Sequence, residues 1–370
     1  MRIAIIRKRY TFHGGSEGYS EALVRRLSEG GHEVHIFAIK WTDGGSSNVH
    51  FHHIPVIGFN SFLRDLSFAI SSFFKIRRER GYFDIVQSHD KTLYQDIYRA
   101  GDGCHIEWLK RRWRREGPGG RLSILLNPYH WLILAIERLI FRARRFKVIV
   151  AISEMVKRDI MENYGVDPSL IRVIYNGVDL QRFTPSNRDR FRHEIRGRYG
   201  IGEEEFVVLF VGSGFKRKGL RFLIEAIETI QGPVTLLVVG RGRHSHRTGP
   251  QRVIFCGPQR DIHKYYAASD IFAFPTIYEP FGNVHLEALA SGLPVITTRQ
   301  SGAAEIIEDG RQGFVIESPE EVMTMAERIE LLMDQKRREQ MAVEARRLAE
   351  GFSFESHINE LIRLYQSIRS

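Results

Sequence analysis

Two glutamates, a basic pair and two glycine loops are the residues of this 370-residue sequence whose types and spacing could do chemistry. Glu279 and Glu287 lie in Tyr278-Glu279-Pro280-Phe281-Gly282-Asn283-Val284-His285-Leu286-Glu287, which continues as Ala288-Leu289-Ala290-Ser291-Gly292-Leu293-Pro294. The apolar runs 271–275 and 294–297 on either side have the length of buried parallel strands, so a helix must lie between them. Its interior is expected over 282–291, because Gly292 suits the residue after a helix end and Pro294 blocks continuation. Glu279 then sits at the helix entrance, beside the backbone N–H groups of Gly282 and Asn283, where a ligand with hydroxyls and phosphate could bind. The alternative is that Glu279 merely complements the helix dipole while Glu287 is solvated.

The basic pair is Arg217-Lys218, in Val211-Gly212-Ser213-Gly214-Phe215-Lys216-Arg217-Lys218-Gly219. This stretch follows a buried strand and precedes a helix expected over 220–229. Cations at the carboxyl end of a strand can neutralise a diphosphate, and Lys216 is the member best explained as solvated. The other glycine loop, His13-Gly14-Gly15-Ser16-Glu17, separates the first strand from its helix. Gly14 and Gly15 let backbone N–H groups approach an anion, or else only make a tight turn. The loop is not Gly-x-Gly-x-x-Gly, which disfavours a dinucleotide site. Gly240-Arg241-Gly242 is read as a turn.

These residues need a scaffold of strands and helices. Strands are expected over 2–6, 33–39, 84–87, 97–100 and 148–152, with a helix over 17–27 closing a first βαβ unit. A second series of strands, over 207–211, 234–239, 253–256, 271–275, 295–297 and 314–316, alternates with helices. Between the series, Asn176-Gly177-Val178-Asp179 and Pro185 suggest a linker. Ser318-Pro319-Glu320-Glu321 reads as a helix start, with Ser318 as its cap, and closing helices are expected over 321–349 and 355–368. The fold class is α/β: two doubly wound Rossmann-like domains facing a cleft. Residues 1–178, joined by the closing helix over 355–370, are expected to form the first domain, and residues 179–354 the second.

Composition narrows the function classes. A hydrophobic fraction of 43% and a charged fraction of 26% are those of a globular protein. The first residues form a short strand rather than a signal-peptide core, and no apolar run reaches the roughly 20 residues that cross a bilayer, so cytoplasmic residence is expected. Cys104 and Cys256 lack metal-ligand spacing and are expected to stay reduced. The net charge is +10, of which residues 105–147 carry +8 through eleven basic residues against Glu107, Glu116 and Glu137. That segment interleaves Trp108, Trp113, Tyr129 and Trp131 with arginines and two short apolar runs. Such a mixture suits an anionic membrane surface better than nucleic acid, with a helical pair covering the core as the alternative. His50, His52 and His53 alternate as in a strand, and no metal role is expected for them.

Taken together, the Gly-Gly loop, Arg217-Lys218 and the Glu-x7-Glu spacing resemble the retaining GT-B glycosyltransferases of family 4 over nearly the whole chain. The stretches Gly212-Ser213-x-Phe215-x-Arg217-Lys218-Gly219 and Ala100-x-Asp102-x-Cys104, with the basic insert, are similar to members that add glucose to the heptose of lipopolysaccharide core. Pro280-Phe281-Gly282-Asn283 departs from those members and follows the commoner family pattern. The resemblance implies that Glu279 holds donor-sugar hydroxyls, Glu287 ribose hydroxyls, and Arg217 and Lys218 the diphosphate. It also implies that Gly15 approaches the donor, that Gly212, Gly282 and Asn283 line its site, and that the backbone near Arg260 meets the base. Asp102 would line the acceptor side.

The implied reaction is sugar transfer with retention, from UDP-glucose to a lipid-linked saccharide at the inner face of the cytoplasmic membrane. The alternatives are exopolysaccharide or capsule synthesis with another nucleotide sugar, or a non-catalytic nucleotide-sugar-binding protein. Cations on the departing diphosphate stabilise the transition state more than the ground state. Front-face substitution, in which the leaving phosphate helps deprotonate the acceptor, is implied over a double displacement through Asp102. No Asp-x-Asp pair is present to hold a metal-bound diphosphate, so no metal and no cofactor beyond the nucleotide sugar is expected.

Overall fold

A computed structural model describes residues 1–8, 15–40, 47–142, 146–243 and 251–369. The chain divides into two compact units, Met1–Tyr175 with Ile358–Ser370, and Asn176–His357.

In the first unit the order is β1 (Arg2–Ile6), α1 (Gly15–Glu29), β2 (Glu33–Ala38), β3 (Val49–His53), α2 (Ser61–Glu79), β4 (Ile85–Ser88), β5 (Ile97–Ala100), α3 (His105–Arg115), α4 (Pro118–Leu126), α5 (Pro128–Arg142), β6 (Val148–Ala151), α6 (Glu154–Tyr164) and β7 (Ile171–Val173). All seven strands are parallel, in the order β3-β2-β1-β4-β5-β6-β7. The central strands are apolar on both faces because helices cover both, and Ile3, Ile5, Val86 and Ile97 are fully buried. β7, three residues long, escaped the sequence reading, while β3 is an edge strand on which the alternating histidines lie.

The second unit runs α7 (Asn187–Tyr199), β8 (Phe206–Val211), α8 (Leu220–Thr229), β9 (Val234–Val239), β10 (Arg252–Gly257), α9 (Ile262–Ala268), β11 (Ile271–Phe274), α10 (Asn283–Ala290), β12 (Val295–Thr298), β13 (Gly313–Ile316), α11 (Val322–Leu331) and α12 (Gln335–Glu350). Its six strands are again all parallel, ordered β10-β9-β8-β11-β12-β13. The last helix, α13 (Phe354–Arg369), returns to the first unit: the Tyr365 hydroxyl donates to Gln87 at 2.8 Å and Lys147 Nζ to the Ile368 carbonyl at 2.8 Å.

Two expectations need correction. Ser318 does not cap a helix; its hydroxyl bonds Glu320, and α11 starts only at Val322. The single long helix expected over 321–349 is two, with Asp334 capping the second through the Arg337 N–H at 2.7 Å. Asp334 accepts that N–H better than any residue inside a continuous helix could, and the chain breaks there. The stretch expected as a linker is also pinned: Val178 N–H donates to Phe352 and Phe354 N–H to Val178, at 2.9 and 3.0 Å.

Candidate active site

In the second sheet the strand order reverses between β8 and β11. Loops leaving two such neighbouring strands diverge to opposite faces and open a crevice at the carboxyl ends. Both sequence-read loops of this unit occupy that point, residues 212–219 after β8 and residues 275–282 after β11. They are strapped together by backbone. Ile277 N–H and the Thr276 hydroxyl both donate to the Arg217 carbonyl, at 2.9 and 3.2 Å. Gly219 has φ of +74°, and a methyl there would fall on the Pro275 carbonyl oxygen, so only glycine lets the loops approach.

This strap brings Lys218 and Glu279 into direct ion-pair contact, although 60 residues separate them in sequence. Their side chains are 10% and 12% exposed. Lys218 Nζ also lies 5.3 Å from the centroid of the Phe274 ring. Burial, and secondarily the neighbouring Arg217, pull the Lys218 pKa well below the usual lysine value. Glu279 is fixed by its own backbone: its N–H donates to Gln300 at 3.0 Å, and its carbonyl accepts from Gly302 at 2.8 Å.

Gly282 precedes α10 with φ of +85°, and a methyl there would press on His285 Nδ1 at 2.7 Å and Glu279 Cγ at 2.9 Å. His285 was not singled out in the sequence, yet it organises this turn. Burial holds its pKa down at about 4, so the ring is neutral at pH 7. Nδ1–H then donates to the Gly282 carbonyl at 2.8 Å, and Nε2 accepts from the Thr297 hydroxyl at 2.8 Å. Its signal was available: it stands three residues after the glycine at the helix entrance, one turn away on the same face. Asn283 is held by the Asn176 amide, at 2.7 Å.

Glu287 lies within α10, 8% exposed. The Tyr266 hydroxyl donates to its Oε2 at 2.9 Å, and burial pushes its pKa up to about 7. The solvated alternative for Glu287 therefore fails. Arg260 precedes α9, and its carbonyl accepts from Arg182 Nη2 at 3.0 Å. Gly212 leaves β8 with its N–H on the Val239 carbonyl at 2.9 Å, while Lys216 is exposed as expected.

The remaining sequence-read residues belong to the first unit. Gly14 lies outside the described residues, and Gly15 opens α1. Asp102 follows β5 and is exposed. The carboxyl edge of this sheet holds charged residues that no sequence motif flagged. Lys8 Nζ pairs with Asp65 at 3.1 Å and Asp90 at 3.4 Å, and the Tyr129 hydroxyl donates to Asp65 at 3.0 Å. Burial works against the charge on Lys8, but the two aspartates more than offset it and raise its pKa. Glu137, 1% exposed, accepts the His105 N–H at 2.8 Å and the Tyr164 hydroxyl at 2.5 Å, and pairs with Lys91 at 3.5 Å. The one available signal was a charged residue two or three positions past an apolar strand, as at Lys8, Asp90 and Lys91.

Chemically, the second-unit site offers a desolvated cation touching a carboxylate at the entrance of a helix. An anion placed there would restore the lysine's preferred charge, and the glutamate would be released to accept from hydroxyls.

Residues 13–182 match the family described as Glycosyltransferase Family 4, and residues 191–348 match Glycosyl transferases group 1. The chain is a glycosyltransferase that carries these two domains. Among its relatives is the lipopolysaccharide glucosyltransferase WaaG of Escherichia coli K12, 25% identical over 330 residues that cover 86% of each chain. The spore coat protein SA of Bacillus subtilis is 31% identical over 247 residues, covering 60% of this chain and 65% of that protein. The crystal structure of a WaaG superposes with a TM-score of 0.81 at 23% identity, covering 98% and 99% of the two chains. Anabaena HepE, solved in complex with UDP-glucose, gives 0.73 at 18% identity, covering 99% and 100%. The expected GT-B fold, with two parallel α/β domains, is therefore the fold of this glycosyltransferase.

Proposed function

We propose that this glycosyltransferase moves glucose, with retention, from UDP-glucose to a sugar of a lipid-linked saccharide. The observation that carries the reading is the buried Lys218–Glu279 contact at the reversal point of the second sheet. In the reaction Lys218 and Arg217 would hold the departing diphosphate, and each cation would gain strength as negative charge accumulates on the bridging oxygen. Glu279, freed from Lys218 by the diphosphate, would accept from donor-sugar hydroxyls. Glu287 keeps one oxygen on Tyr266 and would offer the other to the ribose. The acceptor hydroxyl would be deprotonated by the leaving phosphate on the same face of the sugar. Asp102, exposed after β5, would line the acceptor side, and no metal is required by this scheme.

Support for the donor comes from relatives that include a glucosyltransferase and a fold neighbour solved with UDP-glucose. Support for a membrane-bound acceptor comes from α3 to α5. Leu122, Leu126, Trp131 and Leu139 are each more than half exposed there, beside Trp113 and exposed Arg114, Arg121 and Arg138. The Arg121 guanidinium lies 5.5 Å from the Trp113 ring centroid. A groove of about 330 Å³ between these helices is lined by Leu109, Trp113, Leu125, Trp131 and Leu134. No single helix among the described residues is long and apolar enough to cross a membrane. An interfacial element with its cations toward anionic headgroups fits this composition, at about 1 kcal/mol per cation. Arg144 and Arg145 of the basic segment lie outside the described residues.

The test is a panel of isotope-labelled nucleotide sugars. UDP-glucose is expected to show slow hydrolysis, and transfer when lipid-linked saccharide is added. Binding without turnover for every donor would sink the enzymatic reading, and turnover with a different donor alone would replace UDP-glucose. Vesicles rich in anionic lipid should retain the protein. Retention unchanged after neutralising Arg111, Arg112, Arg114 and Arg115 would remove the membrane element.

A further inference from the structure

The first sheet carries a second cluster of ligating side chains, at the start of its edge, and the transfer reaction makes no use of it. Glu33 and His35 are two apart on β2, so they project from the same face of the sheet. His50 on β3 is the register partner of His35 and projects from that face too. The alternation of histidines in β3, which by sequence alone carries no metal meaning, thus places two imidazoles and a carboxylate together. His35 Nε2 is 2.9 Å from Glu33 Oε1, and His50 Nε2 is 3.7 Å from the same oxygen. All three donor atoms lie within 4.8 Å of one another. Ligand atoms about 2.0–2.1 Å from a tetrahedral ion stand roughly 3.4 Å apart, so these separations bracket what a single ion needs.

We propose that Glu33, His35 and His50 form a binding site for one divalent transition-metal ion of the zinc class, which staples the edge strand β3 to β2. Two nitrogens and one carboxylate oxygen are a donor set suited to that class, and they leave a fourth position for water.

Three features support a built site. His35 is buried, while His50 is 46% exposed on its side chain and has room to turn its ring toward a common ion. The two rings are stacked, with centroids 4.8 Å apart. A further imidazole stands behind the ligand: His52 Nε2 is 2.8 Å from His35 Nδ1. Without metal, His35 Nε2–H donates to Glu33 and His52 Nε2–H to His35 Nδ1. With metal, His35 carries its proton on Nδ1 and donates it to His52 Nε2, while the His52 proton passes through solvent to His52 Nδ1, and the His35 Nε2 lone pair is free for the ion. Such an outer partner fixes the tautomer and orientation of a ligating histidine. Among the described residues no lysine or arginine pairs with Glu33, whose Oε1 accepts the Tyr82 hydroxyl at 2.9 Å.

The cluster lies in the amino-terminal halves of its strands, whereas the ligand-binding edge of such a sheet is the carboxyl one. Metal binding should therefore leave sugar transfer unchanged. The experiment titrates zinc ion into the full-length, chelator-treated protein by calorimetry, with cobalt ion as a spectroscopic probe. One saturable equivalent is expected, with the visible bands of a four-coordinate cobalt site and a rise in melting temperature. Glu33→Gln and His50→Ala, at half-exposed positions that should not disturb folding, are each expected to weaken zinc binding at least tenfold. His52→Ala should weaken it roughly ten- to a hundredfold. Absence of saturable binding would overturn the proposal. So would one equivalent bound undiminished by the Glu33→Gln, His50→Ala double variant with unchanged circular dichroism.

Discussion

Two carboxylates of the second unit, Asp270 and Glu279, flank the same strand β11 and face opposite tasks. Asp270, just before the strand, is surrounded: Arg188 and Arg196 reach it at 2.9 Å, Arg192 at 3.2 Å, and the Val207 N–H donates to it at 2.9 Å. Arg196 in turn is fully buried, its remaining protons donated to the carbonyls of Gly202, Glu203, Glu205 and Ala268. Those guanidiniums hold the Asp270 pKa below the ordinary range although burial acts the other way. Glu279, just after the strand, contacts Lys218, and that cation is itself pulled toward neutrality by burial. A carboxylate whose oxygens are taken by three guanidiniums and a backbone N–H has no place for a ligand, whereas one paired with a lysine that burial drives toward neutrality does. The difference separates structural charge from charge held ready for a substrate.

The comparison breaks first at Asp270. Replacement by Asn leaves three guanidiniums around an uncharged side chain, and the expected loss is about 3–5 kcal/mol of stability in the second unit. Denaturant melts should show it, while any protein still folded should retain its specific activity. A loss below about 1 kcal/mol would mean that the arginines repair themselves with water and that the contrast with Glu279 is false. Glu279→Ala and Lys218→Ala should behave in the opposite way, with transfer down about 10²- to 10³-fold and little change in the melt. Equal loss of stability in both pairs would make Glu279 a second structural carboxylate.

The same contrast explains what could be read beforehand. The candidate site of the second unit is coded in two contiguous stretches, each opening directly after a buried strand, so residue type and spacing could single out Arg217, Lys218, Glu279 and Glu287 as candidates. The apolar runs of the central strands were legible for the same reason: burial on both faces leaves no polar interruption. The edge strand β3 showed only in the alternation of its histidines, because it carries no apolar run. The charged carboxyl edge of the first sheet was hidden for another reason. Lys8, Asp65, Asp90 and Tyr129 come from four separate elements, and only the parallel order of the sheet brings them together. His285 fell between these cases: its helix was foreseen, but its partner Thr297 sits on the next strand.

Position as well as charge can be tested. Gly219→Ala should force the 212–219 loop away from Pro275, since neither the positive φ nor the close approach tolerates a methyl. A cost of about 1–3 kcal/mol is expected, appearing mainly as weaker nucleotide binding because the loop carries Lys218. Unchanged affinity alongside a stability loss of that size would show that the strap supports the fold rather than the site.

The smallest effect concerns protons. A carboxyl raised from 4.5 to about 7, as at Glu287, keeps in the folded protein a proton that the unfolded chain has already lost. Its burial is therefore tolerated below the ordinary carboxylate range and costs increasing stability as pH rises from there through about 7. Glu287→Gln removes the titration, so the variant should gain on the parent between pH 5 and pH 8. Ribose hydroxyls favour the carboxylate form, so a bound nucleotide should pull the Glu287 pKa down and release a proton near neutrality. Affinity for UDP should then rise up to about tenfold from pH 6 to pH 8 in the parent, roughly one unit of pKa shift, and stay flat in the variant. Calorimetry in buffers of different ionisation enthalpy reads the released proton directly. Proton uptake, or a pH dependence that survives Glu287→Gln, would place the ribose elsewhere and leave Glu287 as the buried partner of Tyr266 alone.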